Sequence, residues 1–350
     1  MIKSTQNNLV QLNKNENLYG PSAKCYEVIK NINVNDFIYY SRESVGVIEK
    51  EISQRFKLSH DQIILGYGAE DILKTLITHY IMPNDKVLIP DKSWWYYKAM
   101  VEQREAKPVI YPLEELENEY RTNVDTILKM EKELSPKLII VCSPNNPTGN
   151  SVDLNQFEEI LKQNKDRIVC FDETYWGYSA EDTTDKLLKY INKYDNLVII
   201  RSFSKYYALA GIRIGYAFCG AKVKKAMKFY DKILGFNRIS ENLAVAALHS
   251  DEYYKKITKE FISDREMLFE ELNNISGIIA YKSNANFLLV KIPEELKQPI
   301  DENLKDKGIH IKFFTEPAFI NFARISLGTK EHNQIVLQGI KEQVLVKSSI

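Results

Sequence analysis

The sequence predicts an α/β fold, with a large domain built on a mainly parallel sheet flanked by helices and a smaller α+β domain after it. Two observations carry this. Short apolar runs alternate with helical patterns up to about residue 235, and beyond it the pattern changes to long helical stretches followed by three strand-like segments. The first set of runs is Val87 to Pro90, Val109 to Leu113, Leu138 to Cys142, Ile168 to Phe171, Val198 to Ile200 and Ile214 to Cys219. Each is strand-sized and continuously apolar, as strands buried on both faces require. Between the runs, Leu154, Phe157, Ile160 and Leu161 fall on one helical face, as do Ile72, Leu73, Leu76, Ile77 and Tyr80. The later segments, Gly277 to Ile292, Gly308 to Phe314 and Phe322 to Leu327, read as the strands of the smaller domain.

Composition narrows the class without naming a function. With 350 residues, 44% apolar, and 47 basic against 47 acidic side chains, the chain can bury a large core and has no overall charge to steer it to nucleic acid. The basic residues are interspersed with acids; Lys222 to Lys232 reads as a solvated amphipathic helix. The polar N-terminus and strand-sized apolar runs indicate neither a signal peptide nor a membrane span, so a cytoplasmic protein is expected. Cys142, Cys170 and Cys219 lie in apolar strand-like runs, and no C-x-x-C pair occurs. His60, His79, His249, His310 and His332 offer no ligand spacing, and no metal site is expected.

The chemistry concentrates where strands end. Ser202-Phe203-Ser204-Lys205 follows the run Leu197 to Ile200, with Arg213 eight residues beyond Lys205. A lysine at such a place suits Schiff-base chemistry, because desolvation and nearby cations bring its amine toward neutrality, whereas arginine stays charged. Taken alone the string also fits a surface loop. Phe171-Asp172-Glu173-Thr174-Tyr175 places a carboxylate at the end of another strand, and Ser143-Pro144-Asn145-Asn146-Pro147-Thr148-Gly149 follows a third. The last string is also a good polar turn. Gly68-Ala69-Glu70 opens an apolar helical face, and backbone N–H groups at a helix start can hold a phosphate that glycine lets come close. Gly66-Tyr67-Gly68 does not read as a dinucleotide loop, since Asp71 stands at the third glycine position. In parallel sheets ligands bind beyond the carboxyl ends of the strands, where Asn146, Asp172 and Lys205 all fall.

These strings resemble the fold-type I aminotransferases, and in particular the histidinol-phosphate aminotransferase branch. Asn15 to Pro21, Gly66 to Asp71, Pro90 to Tyr97 and Ala323 to Thr329 extend the resemblance from about residue 10 to the C-terminal helix. It implies pyridoxal 5'-phosphate as cofactor, with Lys205 as the imine-forming base, Asp172 beneath the ring nitrogen, and Tyr175 and Asn146 as donors to the ring hydroxyl oxygen. The phosphate would be held by Gly68, Ala69 and Glu70 at the helix start together with Ser202, Ser204 and Arg213. Trp94 matches the aromatic residue stacked on the ring, with a core aromatic cluster as its bland alternative; Trp95 and Tyr97 are assigned to that cluster. Tyr40, in Tyr39-Tyr40-Ser41-Arg42, would reach the phosphate of a neighbouring subunit, which implies a homodimer with shared sites. By the same resemblance Arg324 grips the substrate α-carboxylate and Tyr19 faces the substrate, although an arginine in a buried ion pair and a packing tyrosine fit the residues equally.

The resemblance also implies domains at 1–35 (an N-terminal arm joining the small domain), 36–235 (the cofactor-binding large domain) and 236–350 (the small domain). The expected partners are a small-molecule amino donor and a 2-oxo acid acceptor, with neither nucleic acid nor membrane. Three departures bear on the substrate. Lys312 stands where the histidinol-phosphate enzymes have an arginine for the substrate phosphate, Thr174 replaces a usual alanine, and Trp176 adds bulk beside Tyr175. Lysine binds phosphate as a point charge rather than a fork. With the doubled tryptophan Trp94-Trp95, these departures leave room for another amino donor. A decarboxylase of the threonine-phosphate type is the neighbouring reading, and a non-catalytic cofactor-binding regulator a more distant one, since only 10 to 15 residues precede the first shared motif.

Overall fold

A computed structural model of the chain describes residues 9–41, 46–163, 166–227, 230 and 232–348. A short first strand, β1 (Val10–Leu12), is followed by β2 (Ile63–Gly66), β3 (Lys86–Pro90) and β4 (Lys107–Tyr111), then by a small hairpin of β5 (Leu113–Glu115) and β6 (Tyr120–Thr122). Next come β7 (Leu138–Cys142), β8 (Ile168–Asp172), β9 (Leu197–Ser202) and β10 (Gly215–Cys219). Seven of these strands form one sheet in the order β2-β10-β9-β8-β7-β3-β4, parallel except where β10 runs antiparallel to both β9 and β2. Strands β7 to β10 are buried along their whole length, which explains their unbroken apolar sequences. Helices cover the sheet: Ala69–Tyr80 buries Ile72, Leu73, Leu76 and Ile77, and Leu154–Gln163 buries Leu154, Phe157, Ile160 and Leu161.

The second sheet has the order β1-β13-β14-β12-β11, made from β11 (Ile279–Ala280), β12 (Phe287–Lys291), β13 (Ile309–Phe313) and β14 (Phe322–Ser326) with the N-terminal strand at its edge. Strand β1 pairs in parallel with β13, so the first described residues belong to the same layer as the last strands. The helix Asp251–Asn273 and the C-terminal helix Lys330–Ser348 pack on this sheet through Phe261, Leu268, Leu272, Val336 and Ile340. Among the described residues no helix is long and apolar enough to cross a membrane.

Three expected elements come out differently. The run Val109 to Leu113 is divided, because Pro112 lacks an N–H and the chain turns from β4 into the hairpin strand β5. The stretch Gly277 to Ile292 is two strands rather than one: between β11 and β12 the backbone leaves the sheet, and the Lys282 and Asn284 amides donate instead to the Asn118 and Gly149 carbonyls. The helix expected over Lys222 to Lys232 spans only Ala221–Ala226 and passes into a turn at Met227; Lys228, Phe229 and Asp231 lie outside the described residues.

Beneath the sheet edge, Glu173 and Arg201 form a buried ion pair with Arg201 Nε 2.8 Å from Glu173 Oε2. Thr183 donates to Glu173 Oε1 at 2.7 Å, Arg201 donates to the Thr184 hydroxyl at 3.0 Å, and the guanidinium lies 4.1 Å from the Trp176 ring centre. Trp176 therefore serves this pair. Removing one member of a buried pair strands the other charge, at a cost of about 3 to 5 kcal/mol. Glu173→Gln should lower the unfolding free energy by that amount in urea denaturation, and a loss below about 1 kcal/mol would show that the pair is not needed.

Candidate active site

A cavity of about 950 Å³ opens at the carboxyl ends of β7, β8 and β9 and is closed on its far side by the second sheet. Its lining includes Ala69, Glu70, Trp94, Asn146, Asp172, Tyr175, Ser202, Ser204, Lys205, Arg213, Lys312 and Arg324. Ala69 and Arg324, 255 positions apart in sequence, thus line one cavity.

Asp172 ends β8 and is 3% exposed. Burial raises its pKa, and hydrogen bonds oppose that rise. The Thr174 amide and hydroxyl donate to Oδ1 at 3.0 and 2.6 Å, and the Tyr97 hydroxyl donates to Oδ2 at 2.6 Å. Tyr97, assigned from sequence to a core aromatic cluster, is thus a buried donor at the cavity floor as well. Trp94 lines the cavity with its ring edge-on to Tyr97 at 5.5 Å, whereas Trp95 is 64% exposed at the rim.

Lys205 follows β9 and its Nζ donates to the Lys14 carbonyl at 2.7 Å, 6.0 Å from the Tyr175 ring centre. Desolvation, with the Arg324 and Arg213 charges, brings its pKa down to about 8 against the pull of Glu16. Tyr175, pushed up to about 12 chiefly by burial, stays protonated, and its oxygen accepts from Asn15 Nδ2 at 2.9 Å. Its own hydrogen is left to donate into the cavity. Asn146 accepts at Oδ1 from Arg324 Nη1 at 2.6 Å; a guanidinium only donates, so the amide nitrogen of Asn146 is the group left to donate.

Arg324 on β14 also donates from Nη2 to the Asn13 carbonyl at 2.6 Å, while its Nε is buried without a partner. Burial lowers its pKa, and the Tyr175 oxygen opposes that shift. Lys312 is its cross-strand neighbour on β13, so both side chains share a face, and the Lys312 ammonium lies 5.6 Å from the Phe314 ring centre.

At the other end, Gly68 caps the helix Ala69–Tyr80 with φ +85°, and a Cβ there would lie 2.9 Å from Arg213 Nη2. Gly215 on β10 lies so close that its Cβ would sit 2.6 Å from the Ala69 amide nitrogen. Side chains are thereby kept away from the helix start. Asp71 serves that start, accepting from the Tyr67 amide at 2.7 Å and from Tyr230. Ser202 and Ser204 are buried, their hydroxyl oxygens 2.9 Å apart.

Three residues expected at the site are not part of the cavity lining: Gly68, which lies against Arg213, Tyr19 and Tyr40. Tyr19 packs edge-on to Phe261 at 5.2 Å in the core of the second sheet, and Tyr40 is 71% exposed with its carbonyl held by Arg238. Arg42, quoted with Tyr40, lies outside the described residues. Among the described residues no three potential metal ligands cluster. Of the contacts that sequence did not reveal, the Asn13 and Lys14 carbonyls had no signal at all, because backbone acceptors are the same in every residue. A neutral amine is the form that reacts with aldehydes, and the neutral fraction of Lys205 grows as pH rises through about 8. Aldehyde modification of Lys205, followed by peptide mass, should be half-maximal near pH 8, and Arg324→Met should move the midpoint upward by removing a neighbouring cation; a midpoint at the ordinary 10.5 would refute this.

The chain is similar to known proteins along nearly its whole length. The family described as aminotransferase class I and II matches residues 7–340. The chain is 30% identical to a histidinol-phosphate aminotransferase of Clostridium beijerinckii over 344 residues, covering 95% of this chain and 90% of that protein. It is 31% identical to histidinol-phosphate aminotransferase 2 of Archaeoglobus fulgidus over 335 residues, covering 95% and 93%. The fold is similar to that of a Sinorhizobium meliloti histidinol-phosphate aminotransferase solved with pyridoxal-5'-phosphate, with a TM-score of 0.85, 20% identity and coverage of 97% and 91%. The chain belongs to the class I and II aminotransferase family.

Proposed function

We infer that the protein is a pyridoxal-phosphate-dependent aminotransferase moving an amino group between an L-amino acid or amino-alcohol phosphate of the histidinol-phosphate kind and a 2-oxo acid. One observation carries it. A buried carboxylate, an amine near neutrality and a guanidinium with an unpartnered Nε, namely those of Asp172, Lys205 and Arg324, face a single cavity. The residues fit the cofactor group by group: the space kept clear at Gly68 and Gly215, beside Arg213, Ser202 and Ser204, suits a phosphate, and Trp94 offers a flat apolar wall. When bound, pyridoxal phosphate supplies an electron sink for the charge left at the substrate Cα.

The chain's own groups do the rest. Arg324 holds a substrate carboxylate by a forked pair of donors once its bonds to Asn13 and Asn146 are exchanged. Lys205, neutral in an appreciable fraction near pH 8, would form the link to the cofactor and, when free, would take the proton from Cα as base and deliver it as acid to the cofactor carbon C4′. With the cofactor bound, Asp172 would hold a proton on the ring nitrogen, and Tyr175 and Asn146 would donate toward the ring hydroxyl oxygen. The decarboxylase reading has no residue of its own in support. A cytoplasmic location suits the four cysteines, all buried and free.

A homodimer is supported by the apolar surface of Tyr26, Ile29, Val34, Phe37, Ile38 and Tyr39, each about half exposed or more, beside which Tyr40 could serve a neighbouring site. Sedimentation should therefore give twice the 40.6 kDa chain mass. Lys205→Ala should bind the cofactor without borohydride-stable attachment and lose roughly 10²- to 10⁴-fold in kcat, the span of lost acid–base catalysis; normal turnover would remove Lys205 from the site. Lys312 supports a phosphate-bearing donor, and Lys312→Ala should lower kcat/KM for histidinol phosphate roughly tenfold more than for phenylalanine. An unchanged ratio would end that part of the substrate reading.

A further inference from the structure

Two hydroxyls at the cavity floor have no part in the chemistry above. Tyr97, on the short helix Tyr96–Glu102, is 1% exposed, and its hydroxyl meets Asp172 Oδ2 at 2.6 Å. Thr174 meets Oδ1 twice, by its amide at 3.0 Å and its hydroxyl at 2.6 Å. An ionised carboxylate only accepts, at about four lone-pair positions. Two positions on Oδ1 and one on Oδ2 are taken. The remaining acceptor position belongs to Oδ2.

Without these donors the site would lean the other way. Burial favours a neutral carboxyl, and among the described residues the side-chain oxygens of Asp172 receive hydrogen bonds only from Tyr97 and Thr174. The Cys142 thiol beside Tyr97 is itself buried and pushed up in pKa, so it adds no charge. A single proton is shared between Asp172 and a ring nitrogen above it. Short hydrogen bonds to a charged acceptor are roughly twice as strong as those to a neutral one, so both donors favour the arrangement in which the proton stays on nitrogen.

We propose that Tyr97 and Thr174 are positioning residues that hold Asp172 as a carboxylate with one acceptor position of Oδ2 open to the cofactor nitrogen, and thereby keep the shared proton on that nitrogen. The proposal rests on the reading of the cavity as a pyridoxal-phosphate site. No proton is gained or lost; its place within the pair is set.

The test uses the dimer-competent full chain loaded with pyridoxal phosphate labelled with ¹⁵N in the ring. In the unsubstituted protein the ring nitrogen should resonate as the protonated form. Tyr97→Phe and Thr174→Val should each move the resonance toward the unprotonated position and weaken cofactor affinity roughly tenfold, equivalent to about 1.4 kcal/mol. Thr174→Ser retains the hydroxyl and should keep both properties. Should Tyr97→Phe fail to fold, the contrast between Thr174→Val and Thr174→Ser decides alone. If the resonance stays in place in both hydroxyl variants, with or without lost affinity, the hydroxyls are packing groups and the proposal falls. Asp172→Asn separates the two levels: if it moves the resonance and the hydroxyl variants do not, only this inference is lost. If Asp172→Asn leaves the resonance unmoved, the assignment of Asp172 to the ring nitrogen falls, and this inference with it.

Discussion

Two neighbouring carboxylates at the end of one buried strand impose most of the local structure. Asp172 and Glu173 follow each other where β8 ends, so the pleat sends them to opposite sides of the sheet. Each is expensive to bury and each is answered separately. Glu173 meets Arg201, itself the residue before Ser202 at the end of β9, and the pair is sealed by Thr183, Thr184 and Trp176. Asp172 meets the neutral donors Tyr97 and Thr174. The ion pair on one side therefore ties together the two strand ends whose other side presents Asp172 and Ser202 to the cavity. A charge with a full partner anchors the backbone, while a charge without one remains available for chemistry.

The second sheet completes the site through the N-terminal segment. Asn15, with φ 55°, accepts from the Ser326 hydroxyl at its own Oδ1, donates by its amide nitrogen to that same hydroxyl, and receives Asn286 at its carbonyl. Its side-chain nitrogen then reaches Tyr175 in the large sheet. With Asn13 and Lys14 held by Arg324 and Lys205, four consecutive residues after β1 line the cavity from Asn13 to Glu16. The strand pairing of β1 with β13 is what delivers them there.

Much of this was legible in the sequence, for an identifiable reason. Strands buried on both faces are written as unbroken apolar runs, and the residue types just after them, Asn146, Asp172 and Lys205, are out of character with what precedes. The alternation of strand and helix then places all three at one edge. Illegible were contacts made by backbone carbonyls, and contacts in which an aromatic residue combines packing with a hydroxyl, as Tyr97 does. Tyr19 and Tyr40 show the converse. The resemblance supplied roles for them, but within one chain Tyr19 is drawn onto Phe261 and Tyr40 stands on an exposed apolar surface. Pro112 and the departure of Lys282 to Asn284 from the sheet divide two runs whose apolar content alone reads as continuous.

The electrostatics of the cavity carry an argument about its ligands. Lys312 and Arg324 are directly opposite each other on antiparallel strands, where like charges repel, and Arg213, Arg324 and Lys205 share the same enclosed space. Lys205 relieves part of this by its lowered pKa, but a guanidinium does not deprotonate. The remaining positive charge is concentrated at two separated places, one at the start of the helix Ala69–Tyr80 beside Arg213 and one between Arg324 and Lys312. A helix N-terminus adds to the first. Repulsion between cations held close together is relieved when anions bind, which favours ligands carrying an anion at each end. That demand matches a phosphate-bearing cofactor at one end and a carboxylate- or phosphate-bearing substrate at the other, and it disfavours simple neutral amines.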